Sequence, residues 1–241
     1  MKVMRRRTAP LLCELHAHTT WSDGALSVRE LVDLYGRAGF DVLAVTDHTT
    51  APGAAVRSVD ETCWEAYAAE IAAEAARADS LYDLLVLTGL ELTWNEEARE
   101  RSAHAVAVGL GSFAGVKAGL EEGLARAHDA GAAVIAAHPY AVGDPRSAWR
   151  GTERWAADDG TLRRLAHRFE LINRHDVFTW VAEARLPVIA SGDFHRLEHL
   201  ATWKTLLPCE RSEDAVLDYL RSPRPAYLVR LEQPLVESLA A

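Results

Sequence analysis

Two histidines, His16 and His18, stand one residue apart at the end of an apolar run, LLCEL, and Asp23 follows beside a glycine. A second apolar run, DVLAVT, ends in Asp47 and His48. The same arrangement recurs down the chain. Glu91 lies near the end of DLLVLTGLEL, His138 closes AAVIAAHP, and Asp193 and His195 follow LPVIAS. His104 differs in opening its run, AHAVAVGLG. Imidazoles and carboxylates gathered on one rim would be costly to bury without cations. They are donors for zinc, manganese or iron, and the lack of cysteine among them argues against a closed structural zinc. Strand ends are where α/β barrels place their chemistry.

The runs that carry these residues alternate with helical patterns. Candidate strands cover residues 11–17, 41–46, 83–92, 103–111, 132–139, 168–173, 186–193 and 226–231. DVLAVT is short, β-branched and apolar on both faces, as a buried parallel strand should be. Ser27 with Glu30 forms a capping box for a helix through Ala38, closed by Gly39. Residues 60–79 place Trp64, Tyr67, Ile71 and Ala75 at helical spacing, and further helices are expected over 117–130, after residue 173 to about Arg185, and from Ser212 to about Leu220. This alternation predicts a parallel barrel or a doubly wound sheet in a single domain over residues 11–241. His104 fits if its strand runs antiparallel to the one before it, or if it reaches in from the preceding loop. Residues 140–160 are irregular and form the only stretch long enough for a lid or substrate loop.

Composition limits the partners. Hydrophobic residues make up 49% of the 241, enough for a sizeable core. The 26 basic residues against 35 acidic ones give a net charge of −9 at pH 7, which argues against a stable nucleic-acid partner or an anionic membrane held by bulk charge. A small anionic substrate is still compatible, because bound cations outweigh the global balance locally. The three cysteines, Cys13, Cys63 and Cys209, lie far apart, as expected for a reducing cytoplasm rather than a disulfide framework. No apolar run approaches the ~18 residues of a membrane span. Residues 1–10 are basic but lack the pattern of a secretory signal, and are read as a frayed terminus.

HAHTTWSDG, VTDH, GLEL, HAVAVG, AHP and SGDFH, in this order, resemble the PHP (polymerase and histidinol phosphatase) superfamily over about residues 12–195. The resemblance implies a distorted, TIM-like (β/α)7 barrel and a centre of three divalent cations, manganese, zinc or iron. Carried over by position, His16, His18, Glu91 and Asp193 would bind the first cation. Glu91 would bridge to a second held by His104 and His138, and Asp23, His48 and His195 would hold the third. Asp47 would be an acceptor orienting a histidine, or else a ligand or proton carrier. Phe194, where the family more often has a small residue, would narrow the pocket or pack into the barrel.

The implied activity is hydrolysis of small phosphate esters of nucleotide, oligonucleotide or histidinol-phosphate type by a water activated between two cations. An arginine near the rim could clamp the phosphate; Arg174 and Arg196 are best placed, ahead of Arg146 and Arg150. Trp21 and Trp94 could stack on a flat leaving group. His128, His167, His175 and His199 read as surface or helix residues. An amidohydrolase-type amide or lactone hydrolase is disfavoured, because none of Lys2, Lys117 and Lys204 sits at a strand end to form a carbamate bridge. A non-catalytic metal-binding accessory module is disfavoured by the full ligand set.

Overall fold

The structure, a computed structural model, describes residues 9–51, 54, 56–149 and 152–232. Most of the expected frayed terminus, and Arg150, lie outside these residues. Strand β1 (Leu11–Glu14) leads through helix α1 (Val28–Arg37) to β2 (Val42–Val45), then β3 (His48–Thr50) and the long α2 (Trp64–Tyr82). Strand β4 (Leu85–Trp94), β5 (Ala103–Val108), α3 (Leu120–Asp129) and β6 (Ala133–Ala137) follow. The rest is α4 (Arg154–Ala157), β7 (Arg168–Asn173), β8 (Asp176–Val177), α5 (Thr179–Glu183), β9 (Val188–Ser191), β10 (Trp203–Leu207), α6 (Glu213–Arg221) and β11 (Tyr227–Arg230). None of the helices described is long and apolar enough to cross a membrane.

The strands form a curled, half-barrel sheet in order β11-β10-β1-β2-β4-β5-β6-β7-β8, with β3 beside β4 and β9 beside β7. The sheet is mixed rather than purely parallel. Strand β5 runs antiparallel to both its neighbours, β4 and β6, and β10 runs antiparallel to both of its own, β1 and β11. The connection between β4 and β5 is too short for a crossover helix, so β5 must return antiparallel. That places His104 opposite Thr93, at the same end of the sheet as Glu91. Strand β10 lies outside the expected elements: WKTLL carries a lysine at its second position, which masks a largely buried strand. The expected helix after β7 is present but short, α5 of five residues following the small β8 return.

Strand β4 is the spine of the site. It pairs with β2 along its first half and with β3 along its second, while β5 covers its other edge. Between β2 and β3 the chain breaks at Thr46 and Asp47, and the Glu91 amide donates to the Asp47 carbonyl at 3.0 Å. The capping box of Ser27 and Glu30 starts α1, whose Val28, Leu31, Val32 and Tyr35 are buried. Inside the curl, Leu11, Cys13, Leu15, Val42, Leu87, Val106 and Ile135 pack together, closed by Val216, Leu217 and Leu220 of α6.

The segment after β9 returns to the segment after β1. Phe194 N–H donates to the His16 carbonyl at 3.0 Å, and His18 N–H donates to the Phe194 carbonyl at 2.8 Å. Ala17 and Phe194 are thereby bridged in parallel. Side chains alternate across such a pair. Ala17 and Phe194 face the core, where the Phe194 ring meets Tyr35 at 5.6 Å, and so His16, His18, Asp193 and His195 share the opposite side. Phe194 is thus core packing.

A tight loop holds His18 and Asp23 on this rim. A Cβ on Gly24 would overlap the His18 carbonyl, which is backbone and cannot yield. Gly24→Ala should therefore cost about 1–3 kcal/mol of stability, of the size seen for overpacking, measured as a lower urea midpoint at unchanged slope.

Candidate metal centre

Three groups of imidazole and carboxylate atoms meet on the rim, and together they hold eight of the nine expected ligands. Asp193 completes the set through its distances. In the first group, His16 Nε2 lies 3.5 Å from Glu91 Oε2 and 3.7 Å from Asp193 Oδ1; His18 Nε2 lies 3.4 and 3.5 Å from the same oxygens. In the second, His104 Nδ1 and His138 Nε2 each lie 3.0 Å from Glu91 Oε1. In the third, Asp23 Oδ1 is 3.5 Å from His48 Nε2 and 3.3 Å from His195 Nε2, with His18 Nδ1 at 3.7 Å.

Each of these imidazoles has an oxygen within reach of a second nitrogen, though His48 Nδ1 also lies 2.9 Å from Glu91 Oε2 and His195 Nδ1 also lies 2.9 Å from the Arg174 guanidinium. His16 Nδ1 faces Glu170 Oε1 at 2.9 Å, His48 Nδ1 faces Thr93 Oγ1 at 2.7 Å, and His138 Nδ1 faces Thr152 Oγ1 at 3.2 Å. His104 Nε2 faces Asn95 Oδ1 at 2.9 Å, and His195 Nδ1 faces the Asp193 carbonyl at 3.0 Å. His18 Nδ1 has the Ser22 hydroxyl at 3.4 Å. Thr152 donates its own proton to the His138 carbonyl, and Ser22 donates to Asp47, so each hydroxyl is left as an acceptor. For His16, His104 and His138 a proton on the outer nitrogen leaves the inner lone pair for a cation, whereas Arg174, which can only donate, takes the Nδ1 lone pair of His195.

The donors fit a divalent metal. His16 Nε2 and His18 Nε2 are fully buried and have no hydrogen-bond partner, a costly state for a ring nitrogen. Four nitrogen and oxygen donors at 2.0–2.2 Å around one cation stand about 3.4 Å apart, close to the 3.4–3.7 Å spacing of the first group. Three residues around the rim hold the left-handed backbone region that residues other than glycine avoid: His138 (φ 28°), Arg174 (φ 54°) and Asp193 (φ 43°). Packing that holds such conformations fixes where their side chains point.

Charge on the metal-free rim is balanced by protons. Burial opposes charging His48, but Glu91 and Asp23 push it up to about 10. Burial likewise opposes His195, and its bonds to Asp193 and Asp23 push it up to about 9. His104 goes the other way, held down to about 4 by burial in spite of Glu91. Burial would raise the carboxyl of Glu91, yet the surrounding imidazoles hold it well below the usual range.

Three residues expected to act in catalysis take different positions. Asp47 lies behind the rim. Its carboxylate accepts from Thr19 N–H and hydroxyl, both at 2.8 Å, and from Ser22 N–H at 3.0 Å and hydroxyl at 2.6 Å. These bonds fold the loop between β1 and α1; none comes from an imidazole. Arg174 lines the cleft, and its guanidinium donates to the Asp193 carbonyl at 2.8 and 3.0 Å while lying 3.2 Å from Asp193 Oδ2. Arg196 is exposed on the cleft wall, 3.7 Å from Glu198. Arg146 pairs with Asp144 and Asp176.

Other expectations change. His199 is buried, not a surface residue, and its Nδ1 accepts from the His195 N–H at 3.0 Å. Trp21 bonds Glu70 and Trp94 bonds Glu96, and neither ring lines the cleft. The 140–160 stretch is a brace as far as it is described. Thr152 grips His138, Trp155 Nε1 donates to the His104 carbonyl at 2.8 Å, and buried Glu153 accepts from Ser147 and Gly143. Sequence reasoning missed Glu170, which also accepts from His138 N–H at 2.6 Å, Asn173 at 2.8 Å and Ser191 at 2.5 Å. Its signal was an acid inside RFELIN, a strand with no other reason to bury one.

With this geometry in place, comparison with known proteins is decisive for the family. The sequence profile of the PHP domain matches residues 14–143, more than half of the chain. The chain belongs to the PHP domain family. A two-domain protein from Bacteroides vulgatus, described as containing a "predicted PHP-like metal-dependent phosphoesterase", superposes with a TM-score of 0.68 at 18% identity, over 95% of this chain and 69% of that one. A 36-residue stretch is 47% identical to the DNA polymerase/3'-5' exonuclease PolX of Bacillus subtilis, covering 15% of this chain and 6% of that protein. An 86-residue stretch is 38% identical to a 5'-3' exoribonuclease of Haemophilus influenzae, covering 36% of this chain and 25% of that protein. The chain thus spans a minor part of the curated relatives it matches.

Two outcomes follow for this PHP domain. Glu170→Gln should weaken Mn2+ binding about 10–100-fold, as loss of a carboxylate orienting a ligand does, read by equilibrium dialysis. In metal-free protein, the raised values of His48 and His195 stabilise the fold below their ordinary value near 6.5. That contribution is lost as pH rises through about 9 to 10. The melting temperature of chelator-treated protein should fall between pH 7 and pH 10, and saturating Mn2+ should flatten the decline, since cations replace those protons.

Proposed function

We propose that this PHP domain is a metal-dependent hydrolase of small phosphate esters, built as one distorted (β/α)7-type barrel. The observation that carries this reading is the convergence of six imidazoles on Glu91, Asp193 and Asp23, with the outer nitrogens of His16, His104 and His138 each facing an oxygen. His16, His18, Glu91 and Asp193 would hold one divalent cation. His104 and His138 would hold a second, with Glu91 bridging, and Asp23, His48 and His195 a third. Bound there, such cations supply charge neutralisation for a phosphate ester and activation of water.

The remaining steps fall to the chain's own groups. The cleft over the rim measures about 920 Å3, the size of a small-ligand site, which suits a nucleotide, another small phosphate ester or the end of an oligonucleotide. Arg196 and Arg174 on one wall of the cleft bring positive charge to the approaching phosphate, with Arg174 also steadying the Asp193–His195 turn. Asp47 acts at one remove, by folding the loop that carries His18 and Asp23. The exonuclease activities in the names of the PolX and exoribonuclease relatives support a phosphodiester substrate. A carbamate-bridged hydrolase of amides is not supported, because Lys204 is buried against Glu14 and Lys117 lies away from the cleft.

The test is a phosphate-release screen over aryl phosphates, nucleotides, histidinol phosphate and short oligonucleotides with Mn2+, Zn2+ or Fe2+. Turnover is expected, and His18→Ala and His195→Ala should each lose at least about 100-fold, the scale of losing one preorganised electrostatic contact. Full metal occupancy without turnover on any ester would refute the assignment.

A further inference from the structure

A buried ion pair lies directly behind the rim. Lys204 Nζ, on β10, stands 2.7 Å from Glu14 Oε2 at the end of β1, and both side chains are completely buried. The pair is joined to backbone on three sides. Glu14 Oε1 accepts from Gly192 N–H at 2.9 Å, from Leu15 N–H at 3.1 Å and from His16 N–H at 3.3 Å. Glu14 Oε2 accepts from the Tyr35 hydroxyl at 3.0 Å. Lys204 also donates to the His199 carbonyl at 3.0 Å and to Thr202 Oγ1 at 2.8 Å.

Each of these backbone contacts adjoins a residue of the rim. His16 N–H belongs to a member of the first group. Gly192 precedes Asp193, whose backbone is left-handed. His199 accepts the N–H of His195. A Cβ on Gly192 would collide with both Lys204 Nζ and Glu14 Oε2, so the chain passes the pair at glycine-only distance. Two charges this deep are a poor source of net stability, since desolvation offsets their attraction. What they supply is geometry: charge-assisted bonds that hold two strand ends at one separation.

We propose that the Glu14–Lys204 pair is a positioning element for the centre, setting the distance between the strand ends that carry His16 and Asp193 and thereby the affinity of the cation they would share. This rests on the metal-centre reading above. Neither residue touches substrate or cation; both act through the backbone of the residues that would.

The experiment compares the full chain with Glu14→Gln, Lys204→Met and the double variant. Mn2+ affinity and stoichiometry are measured by equilibrium dialysis, and stability by melting of the metal-free proteins. Each single variant leaves a buried group uncompensated and should melt lower. The double variant carries no buried charge and should recover most of that loss. Its Mn2+ affinity at one site should nevertheless stay about 10–100-fold weaker than in the unaltered chain, because a neutral amide holds the Gly192 and His16 amides less firmly. Stability restored with affinity still impaired is the signature of positioning. Affinity restored together with stability would show the pair to be structural only and overturn the proposal. Failure of the unaltered chain to bind Mn2+ would instead overturn the metal-centre reading on which it rests.

Discussion

One carboxylate organises this molecule. Glu91 lies within 3.5 Å of five imidazoles: His16, His18 and His48 at one oxygen, His104 and His138 at the other. A single buried charge shared so widely requires that its strand not move, and β4 is paired along both edges. Everything else on the rim is referred to that position. The β2–β3 break delivers His48, the antiparallel return of β5 delivers His104, and β6 delivers His138. The Ala17–Phe194 bridge brings the remaining members across from β9.

The cost of assembling such a rim is electrostatic, and it is met in layers. The innermost layer is proton or cation. Without metal, His48 and His195 take up charge that burial alone would deny them, because the carboxylates are too close to stand uncompensated. Around this sit acceptors of different kinds, including a carboxylate, hydroxyls and a side-chain amide, each fixing one ring. Outside these lie Asp47, which folds a loop, and the Glu14–Lys204 pair, which joins two strand ends.

Much of the rim was legible in the sequence because its residues recur at a physically meaningful place, the end of an apolar run. His16, His18, Glu91, His138 and Asp193 could be grouped on that basis before any coordinates. His104 left two placements open, an antiparallel strand or a reach from the preceding loop, and the antiparallel pairing of β5 with β4 decides between them. The outer layers were less readable. Glu170 and Lys204 are charges inside strands, and only the partner across space explains each of them. Lys204 also hid β10, since a lysine within a short apolar run looks like a surface residue. The alternating, parallel arrangement expected from the pattern gave way to a mixed sheet: the short β4–β5 connection reverses β5, and β5–β6 and β10–β11 are antiparallel although α3 and α6 lie between them.

The Ala17–Phe194 bridge has a consequence in time as well as in space. Most of the rim is encoded before Tyr140, but Asp193 and His195 come much later, and β10, which covers β1 and carries Lys204, later still. During synthesis from the N-terminus, the early histidines and Glu91 exist for a period without the strand that completes them. A cation captured then would meet an open, incomplete shell and exchange freely. A centre of the kind proposed would have its full shell only once the last third of the chain has folded back onto the first strand, which would couple tight cation binding to the end of folding rather than to its start.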